Sequence, residues 1–143
     1  MKDVIKKELK ENGVMVLTLN RPEVLNAMNR DLIMGLYGIF QELEKDIDSR
    51  VIIITGEGRG FCSGADLANG GWPTEKGMTG GEAGAKNMEI GFNPLIRLIT
   101  SIDKPVITAI NGIAAGGGVG LALSGDIVVA SESAKFKLVF GPN

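Results

Sequence analysis

Histidine is missing from all 143 residues. Its absence removes His-based metal sites and Ser-His or Cys-His nucleophile pairs from the chemistry open to this chain, and no metal site is expected. Cysteine occurs once, at Cys62, so no internal disulfide can form. With no histidine to activate it, Cys62 reads as a small buried side chain rather than a nucleophile. An excess of positive charge is also lacking. The formal net charge is -2 and the pI about 5.2, which gives no basic field for nucleic acid or an anionic membrane, and there is no acidic tail. The amino terminus, "MKDVIKKELK", has no apolar stretch of the kind a secretion signal needs. A reducing, cytoplasmic setting is the simplest expectation. Hydrophobic residues make up 44% of the chain, enough for one core, so residues 1–143 are read as a single domain.

Charge is absent from residues 105 to 125, and Gly112, Gly116 and Gly120 recur at a spacing of four, the pattern of a membrane helix with a small-residue face. Pro105, Thr108, Asn111, Ser124 and six glycines dilute that run, and Asn111-Gly112 is a turn signal in its middle. A strand before the turn and a helix after it is the better reading.

"VIKKELKENGVMVLTLN" reads as two strands, 4 to 9 and 14 to 19, turning at Asn12-Gly13. Asn29 then caps a helix in which Leu32, Leu36, Ile39, Phe40 and Leu43 share a face. "RVIIITG" supplies an apolar strand at 51 to 54, the pattern of a strand covered on both faces. Residues 70 to 84, with six glycines and Pro73, are expected to be a loop and the most mobile internal part of the chain. A helix over roughly 86 to 101 follows, with a kink or new first turn at Asn93-Pro94. Strands at "VITAI" (106 to 110) and at 127 to 130 complete an α/β pattern in which strand, turn, helix and strand are used twice.

Each interior helical glycine costs about 1 kcal/mol relative to alanine, so the cluster Gly116, Gly117, Gly118 and Gly120 calls for a local reason. Two glycine loops, "TGEGRGFCSGADL" (55 to 67) and "NGIAAGGGVG" (111 to 120), each follow an apolar strand. Placed at the same edge of one sheet they would face each other, and the amides of Ala65 and Gly117 would aim at one oxygen as an oxyanion hole. Phosphate binding is the rival reading. However, Gly56-Glu57-Gly58-Arg59-Gly60 lacks the last glycine of a dinucleotide fingerprint, and no Lys-Ser/Thr follows the glycines.

Four ordered stretches, two of which contain these loops, resemble the enoyl-CoA hydratase/isomerase, or crotonase, superfamily. They are "LTLNRPEVLNAM" (17 to 28), "RVIIITGEGRGFCSGADL" (50 to 67), "KPVITAINGIAAGGGVGLALSGDIVVAS" (104 to 131) and "AKFKL" (134 to 138). The resemblance implies an α/β spiral of repeated β-β-α units and an acyl-CoA thioester as ligand, with coenzyme A part of the substrate and no separate cofactor. It implies that the Ala65 and Gly117 amides hold the thioester oxygen. Leu25, Ala27, Ser63, Asp66, Leu67 and Gly116 would then line the CoA and substrate path, although Asp66 also suits a helix cap. A homo-oligomer, a trimer or dimer of trimers, is implied as well.

Two departures shape the functional expectation. Family hydratases carry one glutamate three residues after the oxyanion glycine and a second after the "AxF" strand; here these positions hold Gly120 and Phe140. Family members also continue through carboxy-terminal helices, whereas this chain stops at Asn143 and reads as an amino-terminal portion. The leading expectation is enoyl-CoA isomerisation or a related reaction through a thioester enolate. The alternatives are a hydratase in name with weak water addition, and a non-catalytic acyl-CoA-binding or assembly subunit.

Overall fold

The alternating amino-terminal segment folds as its pattern predicts. In a computed structural model that describes residues 3–67 and 76–139, β1 (Ile5–Leu9) and β2 (Val14–Leu19) pair antiparallel, with Ile5 opposite Leu19 and Leu9 opposite Met15. Gly13 turns the chain at φ +80°. Helix α1 (Arg30–Leu43) starts where expected, because the Asn29 side chain accepts from the Leu32 N–H at 3.0 Å and satisfies one free amide of the first turn. Its buried face is Leu32, Ile33, Leu36, Phe40 and Leu43, so Ile33 takes the place predicted for the half-buried Ile39.

Strands β3 (Val51–Gly56), β5 (Val106–Ile110) and β7 (Ile127–Ala130) add in parallel to give a five-stranded sheet ordered β1-β2-β3-β5-β7. Register aligns Leu17, Ile54 and Thr108 across three strands, and all three are fully buried. Leu19, Ile52, Val106 and Ile110 join them in one core with Leu32, Ile33, Leu36 and Phe40. The other face of β3 is less covered than its apolar sequence predicts, since Val51 and Ile53 are only half-buried. All four residues of β7, at the edge of the sheet, are exposed.

A second sheet escaped the sequence reading. Three short strands, β4 (Gly60–Cys62), β6 (Ile113–Ala115) and β8 (Lys135–Lys137), run parallel in the order β4-β6-β8. The two glycine loops leave the same end of the parallel neighbours β3 and β5, as expected; each also contains a strand, and those strands join the loops directly. The chain order, a long strand, a short strand and then helix, repeats as a β-β-α spiral.

The expectation of a loop over 70–84 needs a second correction. Residues 70–75 lie outside the described residues, but Gly80–Asn87 form helix α2 despite three glycines. A reciprocal cap explains its start. The Thr79 hydroxyl accepts from the Glu82 N–H at 3.3 Å, while the Glu82 carboxylate accepts from the Thr79 N–H at 2.8 Å. Helical structure thus begins at 80 rather than 86. It continues through a π-helical turn, Met88–Phe92, into α3 (Asn93–Ser101), with Pro94 in the first turn, where a missing N–H is harmless.

These bonds from Thr79 hold the Glu82 carboxyl below its ordinary value of 4.5. A depressed carboxyl contributes its stabilisation in full above the ordinary value and loses it as pH falls through the lower folded value. The first turn of α2 is accordingly expected to fray in acid. NMR secondary shifts of residues 80–83 should drift toward coil values on acidification, and a Glu82→Gln variant should show no such drift. An equal drift in that variant would assign the effect to another group.

Candidate functional site

Three glycines of the two loop regions, Gly64, Gly112 and Gly118, are required by contact. A Cβ on Gly112 would lie 2.1 Å from the Arg59 carbonyl oxygen, and one on Gly118 would lie 2.1 Å from that of Cys62. On Gly64, at φ +99°, it would lie 2.8 Å from the Ala115 carbonyl oxygen and 3.4 Å from the Gly117 nitrogen. Backbone thus touches backbone along β4 and β6, and Gly64 comes to rest against Ala115 and Gly117. Gly116, at φ +52° and ψ −125°, turns the chain from β6 into α4 (Gly117–Ala122) while its N–H donates to Lys137 at 3.0 Å. Buried Thr108 ties the far end of this helix to the main sheet through a 2.6 Å bond to the Ala122 carbonyl.

The orientation of the Ala65 peptide follows from its bridge to Met28. In this parallel bridge the Met28 N–H donates to Gly64 at 2.7 Å and the Asp66 N–H donates to Met28 at 3.0 Å. The bridge employs the groups on either side of Ala65, so the Ala65 N–H itself points away from residue 28. Gly117 opens α4, where the first amides have no partner within the helix. Both residues are exposed, and both line one cavity of about 780 Å³.

The cavity is mainly apolar. Met28, Ala83, Met88, Phe92, Leu95, Ile96, Val119 and Leu123 contribute to its wall. A Cβ on Gly117 would stand 3.2 Å from the Met28 methyl and 3.7 Å from the Phe92 ring, so these side chains flank the Gly117 amide. Gly120, where the resemblance places a hydratase glutamate, also lines the cavity, and a Cβ there would meet nothing within 4 Å. Phe140, the other such position, lies outside the described residues.

The remaining predicted residues divide into wall and frame. Asp66, Leu67 and Gly116 line the cavity with Ala65 and Gly117. The Asp66 carboxylate is 3% exposed and paired with Arg21 at 2.8 Å, and the residues it would cap lie outside those described. Leu67 is 86% exposed. Leu25 and Ala27 belong to the segment beside the wall: Leu25, at φ +52°, packs against Gly60, and Ala27 is buried. The Ser63 hydroxyl donates to Val24 at 3.1 Å. Burial pushes the Cys62 thiol up to about 11, so it stays protonated and unreactive near neutrality.

Sequence reasoning missed Arg21, Asn26 and Asn111. Asn26, fully buried at φ +56°, donates to the Glu57 and Gly60 carbonyls, and Asn111 donates to those of Gly58 and Gly60. Together they hold the loop that leads into β4. The walls supplied by α2 and the π-helical turn were missed as well. Among the described residues no group of three or more Cys, Asp or Glu side chains is placed to hold a metal ion, and no helix is long and apolar enough to cross a membrane.

Two sheets wound by β-β-α repeats, with both glycine loops lining an apolar cavity, define the crotonase fold. The chain belongs to the enoyl-CoA hydratase/isomerase family, whose model matches residues 9–141. It is 46% identical over 135 residues to the 1,2-epoxyphenylacetyl-CoA isomerase of Escherichia coli (strain K12), covering 91% of this chain and 48% of that protein. It is 39% identical over 140 residues to a probable enoyl-CoA hydratase of Rhodobacter capsulatus, covering 95% and 49% respectively. Among solved structures, the enoyl-CoA hydratase from Bacillus anthracis superposes with a TM-score of 0.82 at 32% identity, over 94% of this chain and 50% of that one. The chain thus spans about half the length of the curated relatives it matches.

Proposed function

We propose that this chain forms the thioester-binding part of an acyl-CoA enzyme, and that isomerisation of an enoyl-CoA, or a related reaction through a thioester enolate, is its activity. The observation that carries this reading is the pair Ala65 and Gly117, brought to one wall of an apolar cavity by glycine contacts no other residue could make. As a proton leaves the carbon next to the carbonyl, negative charge moves onto the thioester oxygen, and two preset N–H donors stabilise it without reorganising. The apolar wall keeps water away from that charge. Leu25, Ala27, Ser63 and Leu67 would flank the CoA path, as the resemblance implies, and coenzyme A would arrive as part of the substrate.

Isomerisation is favoured over hydration because Gly120 puts a hydrogen where the resemblance places the water-activating carboxylate. Proton transfer is assigned to a group outside the residues described. The test is turnover by the complete gene product that carries this chain. Migration of the double bond in a 3-enoyl-CoA with little hydration of a 2-enoyl-CoA is expected. Rapid hydration would restore the hydratase reading. Tight acyl-CoA binding with no turnover in isomerisation, hydration or hydrolysis would favour the non-catalytic subunit.

A cytoplasmic setting and a homo-oligomer belong to the same proposal. Ile127, Val128 and Val129 on edge strand β7 are exposed, as are Phe136, Leu138 and Val139. Apolar surface gathered in this way usually becomes an interface, and symmetric self-association is the common solution. Light scattering on a sample of confirmed intact mass should show more than one copy per particle. A monomer at high concentration would remove the oligomer from the proposal.

A further inference from the structure

The Arg21 guanidinium stands between the two segments that present the Ala65 amide. One nitrogen donates to the Asp66 carboxylate at 2.8 Å and another to the Ala27 carbonyl. With the side chains only 12% and 3% exposed, this is a committed pair whose partners cannot exchange it for water. The segments themselves are joined by backbone and hydroxyl bonds: Met28 to Gly64, Asp66 to Met28, Ser63 to Leu25, and the Ser63 hydroxyl to Val24. The first two bracket Ala65 and fix it along the segment. Rotation of the Ala65 peptide about that bracket is opposed by the groups that hold Asp66, of which the Arg21 guanidinium is one.

Arg21 is in turn fixed from behind. Its N–H donates to the Asn26 side chain at 2.8 Å, and the Asn26 amide group donates to the Glu57 and Gly60 carbonyls at 3.0 and 2.9 Å. Leu25 and Asn26 are consecutive non-glycine residues at φ +52° and +56°. Such backbone persists only where the surroundings over-determine it, and it gathers at functional sites. Here the left-handed turn brings the Ala27 carbonyl within reach of the same guanidinium that grips Asp66.

We propose that Arg21 is a positioning residue: by holding Asp66 and Ala27 at once, its fork sets the direction of the Ala65 N–H toward the thioester oxygen. The inference rests on the reading of Ala65 as an oxyanion donor, and its test separates the two. A lysine at 21 keeps the charge but offers one point donor instead of a planar fork. In the complete gene product, Arg21→Lys should lower kcat by about tenfold or more and change KM by less than about threefold, the signature of a contact made mainly in the transition state.

A purely structural pair predicts something else. Arg21→Met with Asp66→Leu leaves no buried charge unpaired and should recover most of the Tm lost in Arg21→Met alone. If Arg21 positions the amide, kcat stays low in that double variant although Tm recovers. Recovery of kcat together with Tm, or an unaltered kcat in Arg21→Lys, would overturn the proposal. Should the unmodified protein turn over no thioester at all, the functional reading fails, and the positioning claim is still read from ¹H–¹⁵N spectra. Arg21→Lys should shift the Ala65 amide resonance and leave that of Gly117 in place; an unmoved Ala65 resonance would sink it.

Discussion

Ala65→Pro is expected to lower thioester turnover by about 10²–10³-fold, corresponding to roughly 2.7–4 kcal/mol of lost transition-state stabilisation, in a protein that still folds. Proline deletes the N–H of residue 65 and fixes its φ, without removing a group that the bridge to Met28 uses. The bridge to Met28 uses the Gly64 carbonyl and the Asp66 N–H, neither of which belongs to residue 65. Residue 65 is exposed, so the pyrrolidine ring has room. Its neighbour Gly64, already at φ +99°, is the residue type best able to precede proline in an unusual conformation. Ala65→Ser supplies the control, since it keeps the amide and should keep turnover. A folded Ala65→Pro variant with the parent kcat would remove Ala65 from the mechanism.

The largest loss of stability is expected from Gly118→Ala. The added methyl would sit 2.1 Å from the Cys62 carbonyl oxygen and 3.1 Å from the Cys62 Cβ. No rotamer relieves a clash between a Cβ and a backbone oxygen, so β4 and α4 must separate. Overpacking a core usually costs about 1–3 kcal/mol; with backbone as the obstacle, a loss of about 4 kcal/mol or more is expected. Gly120→Ala, two residues on, should do the opposite. A Cβ there meets nothing within 4 Å, and alanine in place of a helical glycine is worth about 0.5–1 kcal/mol. Urea unfolding of the two variants against the parent measures both. Equal stability of Gly118→Ala and the parent would show that the contact between β4 and α4 is not needed.

The elements that repeat over several residues were legible in the sequence. The hairpin of β1 and β2 alternates, α1 has a spaced apolar face with an asparagine before it, and β3 and β5 are apolar runs bounded by glycine or proline. Strands β4, β6 and β8 have only three residues each, too few to show a period, and their pairing depends on glycines that read locally as turns. Helix α2 was hidden because glycine propensity was weighed without the Thr79 and Glu82 cap. At the site, the two glycine loops pointed to Ala65 and Gly117. The ion pair behind Ala65 joins Arg21 to a residue 45 positions away, and nothing in either local sequence announces the other.

The sheet order also dictates a timetable for synthesis. Strand β3 lies between β2 and β5, yet about 50 residues separate its end from β5, so at usual translation rates of roughly 5–20 residues per second β3 waits several seconds for its neighbour. During that wait the Ile52-Ile53-Ile54 ladder presents an open edge, the kind of surface that captures other unfinished chains. Closing such distant parallel pairs is intrinsically slow, because the entropy of the intervening loop is lost before the contacts form. The nascent chain is therefore most in need of chaperone cover between the emergence of Ile54 and that of Val106, well before the thioester pocket exists.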